Sequence, residues 1–219
     1  RSIASITKVM TAVCFIEDDR DLSEEFMVDR ADTRGASVTR LRAYERVSLQ
    51  NLLHLTLIAS DNAAARVLAR VSPRGTAGFV ARMNEKAAEL GLEDTRYVDP
   101  SGLYAENVSS AYDMARLISY AADDPVIAGV MRTEQYSFRT SRRPITIHST
   151  NQLLRTANVD VMGGNTFNGT VYTWAMVGEM KLEVGFLVDG LTAMMMVVVT
   201  FVSLMVHVYT IGYMDGDPG

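Results

Sequence analysis

Residues 1–12 read Arg-Ser-Ile-Ala-Ser-Ile-Thr-Lys-Val-Met-Thr-Ala, and this stretch governs how the rest of the chain is interpreted. Apolar residues recur at helical spacing after Ser5, which predicts a helix over residues 5–17. Ser5 and Lys8 then share one helix face, with Cβ atoms about 5–6 Å apart. A neutral amine beside a hydroxyl can activate it for covalent acyl transfer without a histidine. Taken alone, the spacing also fits a capping serine and a solvated lysine.

A second motif, Ser60-Asp61-Asn62, follows a helix that Ser48 is expected to cap. It stands at a break before another predicted helix over residues 63–70. We expect Ser60 to pass a proton between Lys8 and a leaving amine, and Asn62 to hold a substrate amide through its side-chain carbonyl. Such triplets also cap helices, but two motifs in this order, each at a helix start, favour a serine-type enzyme.

The remaining pattern up to residue 164 is that of a mixed α+β domain dominated by helix. Strand-like runs lie at residues 26–28 and 36–39, and a helix over 79–90 is closed by Gly91. Asp99-Pro100-Ser101-Gly102 predicts a turn, and Ser110 with Asp113 resembles a capping box. Residues 135–140 and 144–148 alternate in polarity around a short polar loop, which predicts a hairpin.

Composition excludes several classes of function. The net charge is −5 and no Lys/Arg run occurs, so nucleic acid is not an expected partner. The single cysteine, Cys14, follows an apolar run and is expected to be a buried, inert thiol. His54, on an apolar helix face, is expected to be a core residue. No pair of histidines or carboxylates has metal-ligand spacing, so we expect neither a metal nor a cofactor.

The first three quarters of the chain resemble a known family. The matching stretches are residues 1–12, Ser-Asp-Asn-Ala-Ala-Ala from Ser60, the run from Leu90 to Leu103 with its Asp-Pro-Ser-Gly, and Asn107-Val108-Ser109. In this order they resemble the D-alanyl-D-alanine carboxypeptidase/endopeptidase family of penicillin-binding proteins over residues 1–164.

This resemblance implies the penicillin-binding protein/serine β-lactamase-like transpeptidase fold. It also implies hydrolysis of D-Ala-containing peptides of peptidoglycan through an acyl-enzyme, with stem peptides and β-lactams as ligands and a periplasmic location. By motif position Ser5 is the nucleophile, Lys8 the general base, Ser60 the proton relay and Asn62 a substrate ligand. The chain begins at Arg1 inside an amphipathic pattern, which favours a truncated start without an export signal.

The resemblance stops where the family has a Lys-Thr-Gly strand, because residues 165–167 read Asn-Thr-Phe. Thr166 keeps a hydroxyl for substrate binding, whereas Asn165 removes the charge that would hold a substrate carboxylate. Losing a charge-assisted contact costs about 1.5–3 kcal/mol. We therefore expect weakened or lost activity from a missing strand.

The last quarter has a different character. Residues 191–213 contain no Asp, Glu, Lys or Arg. A helix of that length spans about 34 Å, against a hydrocarbon core of about 30 Å, which predicts one membrane helix. Residues 165–219 resemble an early part of the antiporter-like L subunit of proton-pumping NADH:quinone oxidoreductase. The expected organisation is a peptidase-like domain at 1–164 joined, as in a chimera, to a membrane segment at 165–219.

Three functional hypotheses follow. The first is a membrane-associated serine D-Ala-D-Ala peptidase. The second is a fragment of the oxidoreductase membrane subunit, for which the first 164 residues are foreign. The third is a penicillin-fold module that binds peptidoglycan without turnover.

Overall fold

The computed structural model describes residues 1–151, 167–177 and 180–188. The chain divides into two compact units, residues 1–150 and 151–219. The first unit is helix-rich and contains the helices α1 Thr7–Ile16, α2 Arg30–Thr33, α3 Leu49–Ile58, α4 Asn62–Val71, α5 Gly75–Glu89, α6 Ala111–Asp123 and α7 Pro125–Met131. Its strands are β1 Glu25–Met27, β2 Arg46–Ser48, β3 Gln135–Arg139 and β4 Pro144–His148. The mixed α+β character predicted from sequence is confirmed.

Helix α1 is the centre of the first unit. Met10, Ala12 and Phe15 have no solvent exposure, and Val13 and Cys14 have almost none. The polar residues Thr7, Lys8 and Thr11 are buried as well, because α1 packs against α3, α4, α5 and α6. Burying each large apolar side chain contributes about 1.5–3 kcal/mol. The side chains at the first turn of α1 are therefore held by a helix that packs against four others.

The helix that precedes Ser60-Asp61-Asn62 forms as predicted. The Ser48 hydroxyl caps α3 by accepting from the Asn51 N–H at 3.3 Å. The buried Thr56 hydroxyl donates a hydrogen bond to the Leu52 carbonyl at 2.8 Å, so it is not left unpaired. Asp61 caps the next helix, α4, by accepting from the Ala64 N–H. The two caps fix where the chain breaks between α3 and α4.

The two sheets of the first unit are antiparallel pairs. Strands β3 and β4 form the predicted hairpin, with Phe138 opposite Ile145. Ile145 and Ile147 point inward while their neighbours are exposed, which is the alternation that the sequence pattern indicated. Strand β1 pairs with β2, with Phe26 opposite Val47.

Some local predictions are wrong. Residues 36–39 do not form a strand, because the carbonyls of Ala36 and Val38 accept hydrogen bonds from Asn62 instead of from a neighbouring strand. Helix α5 begins at Gly75, four residues before the expected start. The Ser110 cap is confirmed, but the Asp113 carboxylate accepts from Asp94 and Thr95 and does not close a capping box.

In the second unit the described residues form a hairpin of β5, Phe167–Val177, and β6, Met180–Val188. The two strands are antiparallel, with two register shifts. The expectation that no strand follows residue 166 is therefore corrected: the run of β-branched and aromatic residues over 170–174 favours a strand. The predicted helix over 191–213 lies outside the described residues. No helix within the described part of the chain has the length and apolar character needed to span a bilayer.

Removing the guanidinium of Arg143 should destabilise the first unit. Arg143 donates from Nε to the fully buried carboxylate of Glu45 at 2.8 Å. Arg143→Ala leaves that carboxylate with the Arg42 N–H as its described partner. We expect a loss of about 3 kcal/mol in the free energy of unfolding, measured by denaturant titration. Arg142→Ala is the matched control, because Arg142 is exposed in the same loop; an equal loss in both variants would contradict the explanation.

Candidate active site

Ser5 and Lys8 meet as the spacing predicted. Ser5 lies in a short 3-10 turn, Ala4–Ile6, that leads directly into α1. The Lys8 amine donates to the Ser5 hydroxyl oxygen, with Nζ and Oγ 3.1 Å apart. Ser5 is half-buried and Lys8 is 2% exposed. The hydroxyl is therefore open to solvent on one side and in contact with a buried amine on the other.

The burial of Lys8 has a direct chemical consequence. Burial lowers the pKa of its amine from the ordinary value of 10.5 to about 8, while Asp99 and Asp61 raise it and Arg66 lowers it. A lysine that titrates near neutrality is neutral in a useful fraction of molecules and can accept a proton. The alternative of a solvated lysine is wrong for this chain.

The turn at Asp99-Pro100-Ser101-Gly102 closes over the first turns of α1. The Ser101 carbonyl accepts from Lys8 Nζ at 2.6 Å, and the Pro100 carbonyl accepts from the Thr11 hydroxyl at 2.6 Å. Gly102 has φ +79°, and a Cβ added there would lie 1.9 Å from the Ala4 carbonyl oxygen. The turn therefore touches the backbone immediately before Ser5.

Asp99 and Asn107 hold this turn in shape. The Asp99 carboxylate accepts from the Ser101 N–H at 2.9 Å, from the Ser101 hydroxyl at 2.5 Å and from the Asn107 amide. The Asn107 Oδ1 accepts from the N–H groups of Val98 and Asp99. Burial raises the pKa of Asp99, but the bonds from Ser101 and Asn107 outweigh it and hold that pKa below its usual value.

The same segment binds the start of the chain. The Ile3 N–H donates to the Asn107 carbonyl at 3.0 Å, and the Ser109 N–H donates to the Arg1 carbonyl at 2.9 Å. Ser2 forms an antiparallel bridge with Val108. Backbone pairing on both sides therefore fixes the direction in which the chain approaches Ser5.

Ser60-Asp61-Asn62 lies at the N-terminus of α4. Asp61 is fully buried and accepts from the N–H of Arg40 and of Ala64. The Asn62 Nδ2 donates to the Ala36 carbonyl at 2.7 Å, while its Oδ1 is buried and has no partner among the described residues. An unpaired buried acceptor costs about 1–3 kcal/mol, so Asn62 offers an oxygen suited to an incoming N–H.

Two non-glycine residues of the site adopt left-handed backbone conformations. Ala4, directly before Ser5, has φ +45°, and Ser60 has φ +53°. Such conformations cost about 1–3 kcal/mol and persist only where surrounding contacts impose them. Both occur next to the hydroxyls that the sequence singled out.

The structure thus brings together Ser5 and Lys8, and the charge of Asp61 acts on Lys8 from the second motif. The half-buried Ser60 hydroxyl makes no hydrogen bond to the described residues. Thr166 lies outside the described residues, so its role stays a prediction.

The sequence marked Asp99 as a turn residue and Asn107 as part of a stretch that carries the resemblance, but it indicated no role for Asn107 or for Thr11. Turn chemistry marks Asp99 and Ser101, but no local pattern shows that their loop lies against α1, because the contact joins residues about 90 positions apart. The expectations for two other residues are confirmed. Cys14 is buried, which raises its pKa to about 12. His54 is bonded to the Gln50 carbonyl and stacked on Tyr136.

The chain is similar to two families. Residues 1–173 match the family described as D-alanyl-D-alanine carboxypeptidase. Residues 174–219 match the one described as NADH-Ubiquinone oxidoreductase (complex I), chain 5 N-terminus. The predicted joining of two unrelated families in one chain is confirmed.

Relatives support each match. The D-alanyl-D-alanine endopeptidase of Pseudomonas aeruginosa is 36% identical over 157 residues, which cover 69% of this chain and 50% of that protein. That of Escherichia coli is 34% identical over 166 residues, covering 74% and 53%. The chain therefore spans about half the length of these curated relatives. NADH-quinone oxidoreductase subunit L of Neisseria meningitidis is 69% identical over 51 residues, covering 23% of this chain and 8% of that subunit.

Solved structures confirm the predicted fold. A D-alanyl-D-alanine carboxypeptidase from Mycobacterium tuberculosis superposes with a TM-score of 0.66 at 26% identity, covering 86% of this chain and 74% of that one. A variant of a Streptomyces DD-transpeptidase gives a TM-score of 0.69 at 25% identity, covering 88% and 83%. The chain thus has the fold of penicillin-binding DD-peptidases.

A methyl group at Gly102 should disturb the site. In Gly102→Ala the new Cβ meets backbone atoms of Ala4, which cannot move aside as a flexible side chain can. We expect a loss in the free energy of unfolding of about 2–4 kcal/mol from strain and overpacking together. Gly35→Ala is the matched control: its φ is +62° and nothing lies within 4 Å of the added Cβ. Denaturant titration of both separates close contact from backbone strain, and equal losses would contradict the contact.

Proposed function

Because the chain belongs to the D-alanyl-D-alanine carboxypeptidase family, we propose that it is a serine-type D-Ala-D-Ala peptidase that forms an acyl-enzyme on Ser5. The observation that carries the proposal is the hydrogen bond between Lys8 Nζ and Ser5 Oγ, made by an amine whose pKa burial lowers to about 8. A hydroxyl becomes a useful nucleophile when an adjacent base can take its proton.

In the acylation step, the neutral Lys8 amine accepts the Ser5 proton while Oγ attacks the carbonyl carbon of the scissile peptide. The resulting tetrahedral intermediate collapses as the C–N bond breaks and an ester forms on Oγ. The proton returns to the leaving amine of the terminal D-Ala. The Ser101 carbonyl keeps Lys8 Nζ directed toward this site, because it accepts a second hydrogen bond from the amine.

We assign the transfer of this proton to Ser60, whose hydroxyl is half-buried and makes no hydrogen bond to the described residues. Its left-handed backbone conformation departs from the helical path of α3 and α4, which is consistent with a constrained functional position. Water then hydrolyses the ester: Lys8 accepts a proton from the attacking water and returns it to Ser5 Oγ as the ester bond breaks.

We assign substrate binding to Asn62 and Thr166. The unpaired Oδ1 of Asn62 suits an N–H donor of a stem peptide or the amide of a β-lactam side chain. Thr166 contributes a hydroxyl for the substrate carboxylate. On either side of it, Asn165 and Phe167 stand where the family motif carries a lysine and a glycine. Asn165 and Phe167 therefore weaken binding at the carboxylate end.

The proposed setting is the periplasm, where peptidoglycan is found, with residues 191–213 as a membrane helix. Under this proposal residues 1–164 together with Thr166 act on the substrate, and the helix over residues 191–213 attaches the protein to the membrane. A second function, binding of peptidoglycan peptides without turnover, is favoured by the altered residues 165–167. The oxidoreductase fragment is the weaker alternative, since that match begins only at residue 174.

Fluorescent penicillin should label this protein covalently at Ser5. The β-lactam carbonyl is an acylating analogue of the D-Ala-D-Ala bond, so Ser5→Ala should abolish labelling detected on denaturing gels and by peptide mass spectrometry. Ser72→Ala is the control, because Ser72 is a serine of the same unit whose hydroxyl donates to Asp18 instead of to the site. Peptide binding without an adduct in the unmodified protein would favour the binding module, and the absence of both would refute the enzyme.

Acylation should depend on pH through Lys8. The protonated amine cannot take the Ser5 proton, so the second-order rate constant for penicillin should rise about tenfold per pH unit below pH 8 and level off above it. Lys8→Arg keeps a cation that does not deprotonate, and should lower the rate about 100-fold or more. A rate independent of pH between 6 and 9 would remove Lys8 as the base.

A further inference from the structure

Lys8 and Asp99 are both buried and carry opposite charges, yet they do not form an ion pair. The described bonds of the amine go to the Ser5 hydroxyl and the Ser101 carbonyl. The Asp99 carboxylate accepts from Ser101, Tyr104 and Asn107. One residue of the turn, Ser101, thus bonds to both partners and stands between them.

This separation matters for a base. A carboxylate in direct contact with a buried amine would hold it as an ammonium ion, which cannot accept a proton. A buried amine with no opposite charge nearby would release its proton readily and would be a weak base. An opposite charge that a fixed loop keeps at a distance gives the amine a proton affinity between these two extremes, so that it exchanges its proton near neutral pH.

Three charged groups act on Lys8, one from the turn at residues 99–102 and two from α4 and its cap. Burial has the largest effect and lowers its pKa, Asp99 is the first of the opposing charges, and Asp61 adds to it from the start of α4. Arg66 on α4 acts in the opposite sense. Asp99 is the member of this set that also controls the position of a hydrogen-bond acceptor for the amine.

We propose that Asp99, fixed by Asn107, is a positioning residue for the general base: it sets the Ser101 carbonyl on Lys8 Nζ and supplies an opposite charge held out of direct contact with that amine. The inference rests on the proposed function of Ser5 and Lys8. Asn107 has no solvent exposure, and its Nδ2 donates to the Asp99 carboxylate while its Oδ1 accepts from the backbone of Val98 and Asp99. These bonds prevent the carboxylate from turning toward the amine.

Exchanging the side chains of Asp99 and Asn107 separates the effect of the negative charge from the effect of the hydrogen bonds. Asp99→Asn removes the charge and places an amide among donors that need an acceptor. The double variant Asp99→Asn with Asn107→Asp restores the bond between the two side chains with its direction reversed, and moves the charge by one side chain. Asp113→Asn is the matched control, since Asp113 is a buried, hydrogen-bonded carboxylate that is not among the groups acting on Lys8.

The first measurement follows the Lys8 amine itself. The chain has three lysines, Lys8, Lys86 and Lys181, so selective ¹³Cε labelling gives few signals to assign. We expect the Lys8 titration midpoint to fall by about half a pH unit or more in Asp99→Asn, because an attraction that favoured the charged amine is gone. The Lys8 midpoint of the double variant should lie between those of Asp99→Asn and the unmodified protein. The midpoint of Asp113→Asn should equal that of the unmodified protein. An unchanged or higher midpoint in Asp99→Asn, or an equal shift in Asp113→Asn, overturns the inference.

The second measurement is the pH profile of acylation by penicillin. Its midpoint should move with that of Lys8 in Asp99→Asn, whereas a purely structural role would lower the rate at every pH and leave the midpoint in place. If penicillin labels the unmodified protein but the midpoint of the acylation profile does not move in Asp99→Asn, the inference is overturned and the proposed function stands. An unmodified protein that is never labelled overturns the proposed function, whatever the Lys8 titration shows. If Asp99→Asn does not fold, the comparison of the double variant with Asp113→Asn decides in the same way.

Discussion

The removal of one lysine amine from water is the constraint on which this structure depends. Lys8 is 2% exposed, although lysine is almost never buried without a compensating charge. Its two described acceptors, a hydroxyl and a carbonyl, are both neutral. The folded protein therefore holds the amine where the charged form is disfavoured, and that cost is what makes it available as a base.

Meeting this constraint requires contributions from distant parts of the chain. The core around α1 supplies rigidity, and the turn at residues 99–102 supplies an acceptor and excludes water. Backbone pairing of the first three residues with residues 107–109 anchors the approach to Ser5. The left-handed Ala4 and the absence of a side chain at Gly102 belong to one close contact, because a methyl group at Gly102 would meet the backbone carbonyl of Ala4, directly before the nucleophile.

Sequence patterns predicted much of this structure because the informative signals were local. Helical spacing after Ser5, the Ser48 cap and the alternation in β3 and β4 each depend on neighbouring residues, and each is confirmed. Asp99 and Asn107 lie in stretches that carry the family resemblance, but no role in the site could be assigned to them, since that role depends on a loop folding onto a distant helix. The strand predicted over residues 36–39 is wrong for the same reason. The carbonyls of Ala36 and Val38 accept hydrogen bonds from Asn62, a distant partner that β-propensity does not take into account.

Activation of the nucleophile and binding of the substrate carboxylate depend on different parts of the chain. Ser5, Lys8 and the turn that encloses them lie within residues 1–150, whereas the expected carboxylate contact depends on residues 165–167. A lost charge-assisted bond of about 1.5–3 kcal/mol weakens ground-state binding about 10- to 150-fold. The pairing of Ser5 Oγ with Lys8 Nζ is made by two residues of the first unit. The hydrogen bond between the nucleophile and its base is therefore present in a chain whose sequence has replaced the residues expected to hold the end of the substrate.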